Sequence, residues 1–215
     1  MIALAHGRIS IALHPLREAP GPTLLCLHEV AGSAADFRDV AWPGRVFALD
    51  FSGHGRSGHV RGGSYYPETL AGDADAALAR IGPAYLVGAG IGAYVALLLA
   101  GGRPEQIPGA VLLPGAGLMG GGEVPDWSSE DDAHARWRSF EPVPPGCDPA
   151  VRRLERDIRP RDYAREFALA ARRLLLGEDG GARPPWWEAV RESPAAARAP
   201  AEPARALAFL AASLE

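Results

Sequence analysis

Lysine and asparagine are absent from the 215 residues, so all 22 basic side chains are arginine. The lack of lysine excludes Schiff-base catalysis, and the arginine-only basic set is the composition expected of a GC-rich bacterial genome. Cysteine is scarce. Cys26 reads as a small core residue within an apolar run and Cys147 lies in a proline-rich stretch; the two form no disulfide framework and lack metal-ligand spacing. No apolar run reaches the ~20 residues needed to span a bilayer, and the N-terminus lacks a basic leader followed by a long apolar stretch, so a cytoplasmic protein is expected. A net charge of -4 gives no electrostatic reason to expect nucleic acid. Histidine is also scarce: there are six, and none follows His134.

What is present is an ordered alternation of apolar runs and helical stripes. A hydrophobic content of 47% is enough for one large core. Segments 2–5 and 8–14 read as a leading hairpin, 23–28 as a buried strand, 34–40 as a short helix and 45–50 as the next strand. Pro67 suits the first turn of a helix, whose stripe of Leu70, Ala74, Ala77, Leu78 and Ile81 stops at Gly82-Pro83. A strand and helix over 84–100 follow, then a strand at 109–115. Strands alternating with helices imply a mostly parallel sheet covered by helices on both faces, hence an α/β fold in a single domain over 1–215.

At the bend of 84–100 stands Gly88-Ala89-Gly90-Ile91-Gly92. A dinucleotide fingerprint is disfavoured, because this turn follows several strands and the later position for a ribose-binding acid holds Pro104, Ile107 and Pro108. Residues 23–58 carry more information: an apolar strand ends in His28-Glu29, and the next ends in Asp50-Phe51-Ser52-Gly53-His54-Gly55-Arg56-Ser57.

These segments resemble the strand 3 to strand 4 region of the α/β-hydrolase superfamily, clearly over residues 1–118 and loosely over 170–213. In that family the bend after the central strand carries Gly-x-Ser-x-Gly, with the nucleophilic serine on a strained turn beside backbone N–H groups that hold the oxyanion. The resemblance puts Gly90 at the nucleophile position. It also implies that residues 119–170 form a small helical lid, with helical spacing at Leu154, Ile158, Tyr163, Phe167 and Ala170 between Arg152 and Ala171. The segment 172–176 reads as the seventh strand, and the acid position falls on Gly180 or, with a register slip of one, on Asp179. The stretch 181–202 leaves little room for an eighth strand and its histidine loop, and 198–210 resembles the last helix. The expected fold is therefore truncated at its C-terminal strand.

The resemblance implies a degenerate triad. It also places Glu29 where the family has glycine, and a carboxylate beside an oxyanion hole opposes acyl transfer unless it turns outward or pairs with an arginine such as Arg56. Two functions stay open. One is a pseudo-hydrolase that binds a small apolar ligand or a protein partner, with Glu29, Val30, Gly90 and Ile91 against the ligand. The other is a non-hydrolytic enzyme using Glu29 as general base with His28 or His134 as partner. No metal or cofactor is expected. A missing eighth strand would leave 172–176 as an open edge, which predicts a homodimer paired through it or, alternatively, cover by the Trp186-Trp187 segment and the C-terminal helix.

Overall fold

The computed structural model describes residues 1–120 and 142–212. Its centre is an eight-stranded sheet in which β1 (Ile2–His6), β2 (Ile9–Arg17), β3 (Leu24–Leu27), β4 (Val46–Asp50), β5 (Tyr85–Ala89), β6 (Ala110–Leu113), β7 (Leu174–Glu178) and β8 (Ala196–Pro200) lie in the order β1-β2-β4-β3-β5-β6-β7-β8. The pairs β1–β2 and β2–β4 are antiparallel, and every pair from β4 to β8 is parallel.

The parallel strands β3 to β7 are largely buried on both faces, which is why they read as unbroken apolar runs. Leu25 and Leu27 of β3 face one core, and Leu24 and Cys26 face the other. The first core is the larger. It takes α1 (Pro67–Ile81), α2 (Ile91–Gly102), α3 (Arg161–Ala170) and α4 (Pro185–Arg191), with Tyr94, Trp186 and Trp187 among its largest side chains. The second is closed by a short 3-10 helix (Ala34–Phe37), Trp42 and α5 (Pro203–Ala211). Residues 91–100 of α2 are buried all round, as expected of a helix enclosed by the sheet and other helices.

Two expectations are corrected here. The eighth strand is present: Ala196–Pro200 pairs in parallel with all of β7, so the sheet is not truncated and β7 is not an edge. The reason for expecting a homodimer through that edge disappears with it. The strand is not legible in the sequence because AARAP carries no large apolar side chain; as an edge strand it is held by the β7 ladder, and only Ala199 is buried. Arg198 and Pro200 are edge residues that discourage further pairing. The expected last helix accordingly begins later, at Pro203.

The second correction concerns Arg152–Ala171. The chain forms a 3-10 helix over Pro149–Glu155, and Pro160 stands immediately before α3. With the helix restarted there, α3 buries Ala164 and Ala168 while Ile158 and Tyr163 stay exposed, so the expected stripe does not form one face.

Candidate functional site

The strand order reverses between β3 and β5, since β4 lies on one side of β3 and β6 on the far side of β5. Such a switch opens a crevice beyond the carboxyl ends of the two strands. His28 and Glu29 leave β3 into it, and Gly90 leaves β5.

Gly90 has φ 57 and ψ -120, a conformation that costs a residue with a side chain free energy. Its N–H donates to Leu113 O at 3.1 Å, which ties the bend to the end of β6. A Cβ at this position would overlap the carbonyl oxygen of Ala116 and lie 2.8 Å from its carbon. Gly92 in the first turn of α2 is constrained differently: a Cβ there would meet His28 O at 2.7 Å, so α2 and the end of β3 touch through their backbones.

His28 is fully buried. With Nδ1–H donating to Glu29 O at 2.7 Å and Nε2 accepting the Phe51 N–H at 3.0 Å, both ring nitrogens are occupied in the neutral tautomer that this network assigns. Burial lowers its pKa to about 4, which the Glu29 carbonyl and Asp50 only partly oppose. His54 lies 4.7 Å from it between ring centroids and is held alike: Nδ1–H donates to Ser52 O, Nε2 accepts the Ala31 N–H, and burial takes its pKa to about 3. Both nitrogens of His28 are thus taken up in fixing the loop after β3 and the end of β4.

The motif from Asp50 to Ser57 is also structural. The Asp50 carboxylate accepts from Ala34 N at 2.7 Å, Arg56 N at 2.9 Å and His14 Nε2 at 2.9 Å, while Ser57 Oγ donates to Asp50 O at 2.5 Å. These bonds hold its pKa below the usual carboxylate range against the opposing effect of burial.

Glu29 turns neither outward nor to Arg56. Its Oε2 accepts the Ala116 N–H at 2.6 Å, and Ala116 O accepts both Val30 N–H at 3.2 Å and Ile91 N–H at 3.0 Å. The structure therefore brings Glu29, Val30, Gly90 and Ile91 together, and the residue they surround is Ala116 of this chain. Two buried side chains fix that loop from above. Arg159 donates through Nη1 to Gly117 O and Leu118 O and through Nη2 to Leu154 O, with its guanidinium 5.2 Å from the Tyr94 ring centre; Trp186 Nε1 donates to Leu118 O at 3.0 Å. Burial lowers the Arg159 pKa to about 10. Ala116, Arg159 and Trp186 were missed from sequence. A backbone carbonyl carries no residue signature, and the only cue to the turn was the glycine pair Gly115 and Gly117.

The other expected positions do not converge. Gly180 is exposed, with φ 81 and nothing within 4 Å of where a Cβ would stand. Asp179 pairs with Arg183 at 2.7 Å and accepts the Gly181 N–H, bonds that hold its carboxyl below the usual range. After β8, Glu202 caps α5 by accepting from Ala204 N and Arg205 N. His134 lies outside the described residues. Among the described residues no cluster of three or more histidine, cysteine or acidic side chains could hold a metal, and no helix is long and apolar enough to cross a membrane.

No protein-family model matches the chain, and no curated protein matches it. Solved structures do. A thioesterase domain from the curacin biosynthetic pathway is similar with a TM-score of 0.74 at 20% identity, over 99% of this chain and 97% of that one. An α/β hydrolase from Sphaerobacter thermophilus gives 0.66 at 17% over 100% and 99%, and the bottromycin epimerase BotH in complex with bottromycin A2 gives 0.64 at 21% over 99% and 97%. At these identities the likeness shows the fold: the chain has the α/β-hydrolase fold.

Proposed function

We propose that this chain is a catalytically degenerate α/β-hydrolase-fold protein that works by binding, taking a small apolar ligand or a protein partner, and not by acyl transfer. One observation carries the reading: the space a nucleophile at Gly90 would need is filled by the Ala116 carbonyl, which also takes the two N–H groups nearest the bend. Among the described residues neither His28 nor His54 offers a free base at the bend, since both ring nitrogens of each are engaged. Where nucleophile and base act as a unit, loss of the nucleophile alone costs on the order of a millionfold in turnover.

A second reading keeps Glu29 as a general base for proton transfer, and the structural likeness to an epimerase supports it, because that neighbour pairs this fold with a reaction other than hydrolysis. In this reading the Glu29 carboxylate takes the proton at a lone pair that the Ala116 N–H leaves open, so Oε2 keeps its bond to the loop. The test of the first reading is hydrolysis of p-nitrophenyl acetate and butyrate by the purified chain. The expected rate is that of an equal concentration of a non-enzymatic protein. A stoichiometric burst of nitrophenol followed by turnover would overturn it.

A further inference from the structure

Ala116 sits on the crevice as a ligand would. Its carbonyl oxygen takes two converging backbone donors, Val30 N–H and Ile91 N–H, one from the loop after β3 and one from the first turn of α2, where the helix dipole also favours an oxygen. Its own N–H meets the Glu29 carboxylate at 2.6 Å, so both polar atoms of one residue are gripped by residues 29, 30 and 91. A charge-assisted bond of this kind is about twice as strong as a neutral one. Glu29 is only partly buried, whereas Val30, Ile91 and Leu118 around it are buried. Gly115 packs against the Glu29 carboxylate so closely that a Cβ would overlap Oε2, and Gly117 packs equally closely on the Val30 side chain.

We propose that Ala116 is a built-in occupant of the crevice and that Glu29 is the latch that keeps it there. The inference rests on the non-catalytic reading above and adds the class of ligand that competes. A molecule that displaces Ala116 must offer Val30 and Ile91 an acceptor oxygen and must lie against Val30, Ile91 and Leu118. With the latch released, the Glu29 carboxylate stands unpaired beside that oxygen and repels an anion. The competing ligand is therefore a neutral carbonyl compound with an apolar body, an amide or ester and not a carboxylate.

Amide hydrogen exchange of the full chain, resolved by residue, tests the latch, and octanamide and octanoate serve as probes. In the native protein the amides of Val30, Ile91 and Ala116 should be protected. Glu29→Ala should speed their exchange at least tenfold while the β3 and β5 amides of Cys26 and Val87 stay as in the native chain. Glu29→Gln should retain most of the protection, because its side-chain oxygen still accepts. Gly115→Ala, which displaces the carboxylate from the other side, should reproduce the local pattern of Glu29→Ala. Octanamide should bind Glu29→Ala at least tenfold more tightly than the native chain and shift the Val30 and Ile91 amide resonances. Exchange at Ala116 within twofold of native in both Glu29→Ala and Gly115→Ala would overturn the proposal. So would loosening of all core amides without a local excess, equal octanamide affinity for native and Glu29→Ala, or a preference of the native chain for octanoate over octanamide. Ester turnover appearing in any of these proteins would instead overturn the non-catalytic reading and leave the latch standing.

Discussion

The carboxyl ends of β3 and β5, at the middle of the sheet, and those of β7 and β8, at one edge, differ in how they are filled. At the β3–β5 end the chain keeps the bend, the close approach of α2 and both converging N–H groups, and then satisfies every one of them with its own backbone and with Glu29. At the β7–β8 end the strands are kept, but the turns beyond them are ordinary surface: Gly180 is open to solvent, Asp179 pairs with Arg183 and Glu202 caps a helix. One end is occupied and the other is vacated. A peptide group that fills a site leaves no mark in the residue types, whereas a changed side chain does.

The largest test of that difference uses two glycines that both have positive φ, 57 at Gly90 and 81 at Gly180. Gly90→Ala adds backbone strain and an overlap with the Ala116 carbonyl, so it should cost about 3 kcal/mol and expel the loop. Gly180→Ala meets nothing and should cost about 1 kcal/mol. Urea unfolding of the two variants measures both; equal costs would mean that the β3–β5 end is no more tightly filled than the surface turn.

A smaller effect separates the ends by pH. His28 has a folded-state pKa of about 4 against an unfolded value near 6.5, so the unfolded chain takes up a proton that the folded chain refuses. The neutral ring contributes stability that is whole above about pH 6.5 and is lost as the pH falls toward 4, by up to about 1.4 kcal/mol for each pH unit. Half-buried Asp157, whose carboxyl is raised to about 6, and buried Asp73, also raised, titrate with the opposite sign, so the native slope alone does not isolate the histidine. His28→Gln does. Urea midpoints of native and variant between pH 7 and 4 should converge as the pH falls, and parallel curves would place the lost protons elsewhere.

How much of this was legible beforehand follows the same division. β3, β4, β5 and β6 were readable because burial on both faces forces continuous apolar runs, and α1 because its stripe has a proline start and a glycine stop. β8 was not, since an alanine-rich edge strand is specified by its partner's ladder and not by its own side chains. Arg152–Ala171 misled because its apolar residues keep a helical period across 156–160, where the chain is not helical. The position of Gly90 and the neighbourhood of Glu29, Val30 and Ile91 were readable as a bend and its flanks. What fills them was not, because Ala116 acts through its peptide group alone.

A bend without a nucleophile is tested most directly by the intact mass of the purified chain after incubation with a fluorophosphonate. An unchanged mass is the result predicted. A stoichiometric phosphonyl adduct on a single residue would contradict it, and would show that a reactive oxygen reaches the crevice that Ala116 fills.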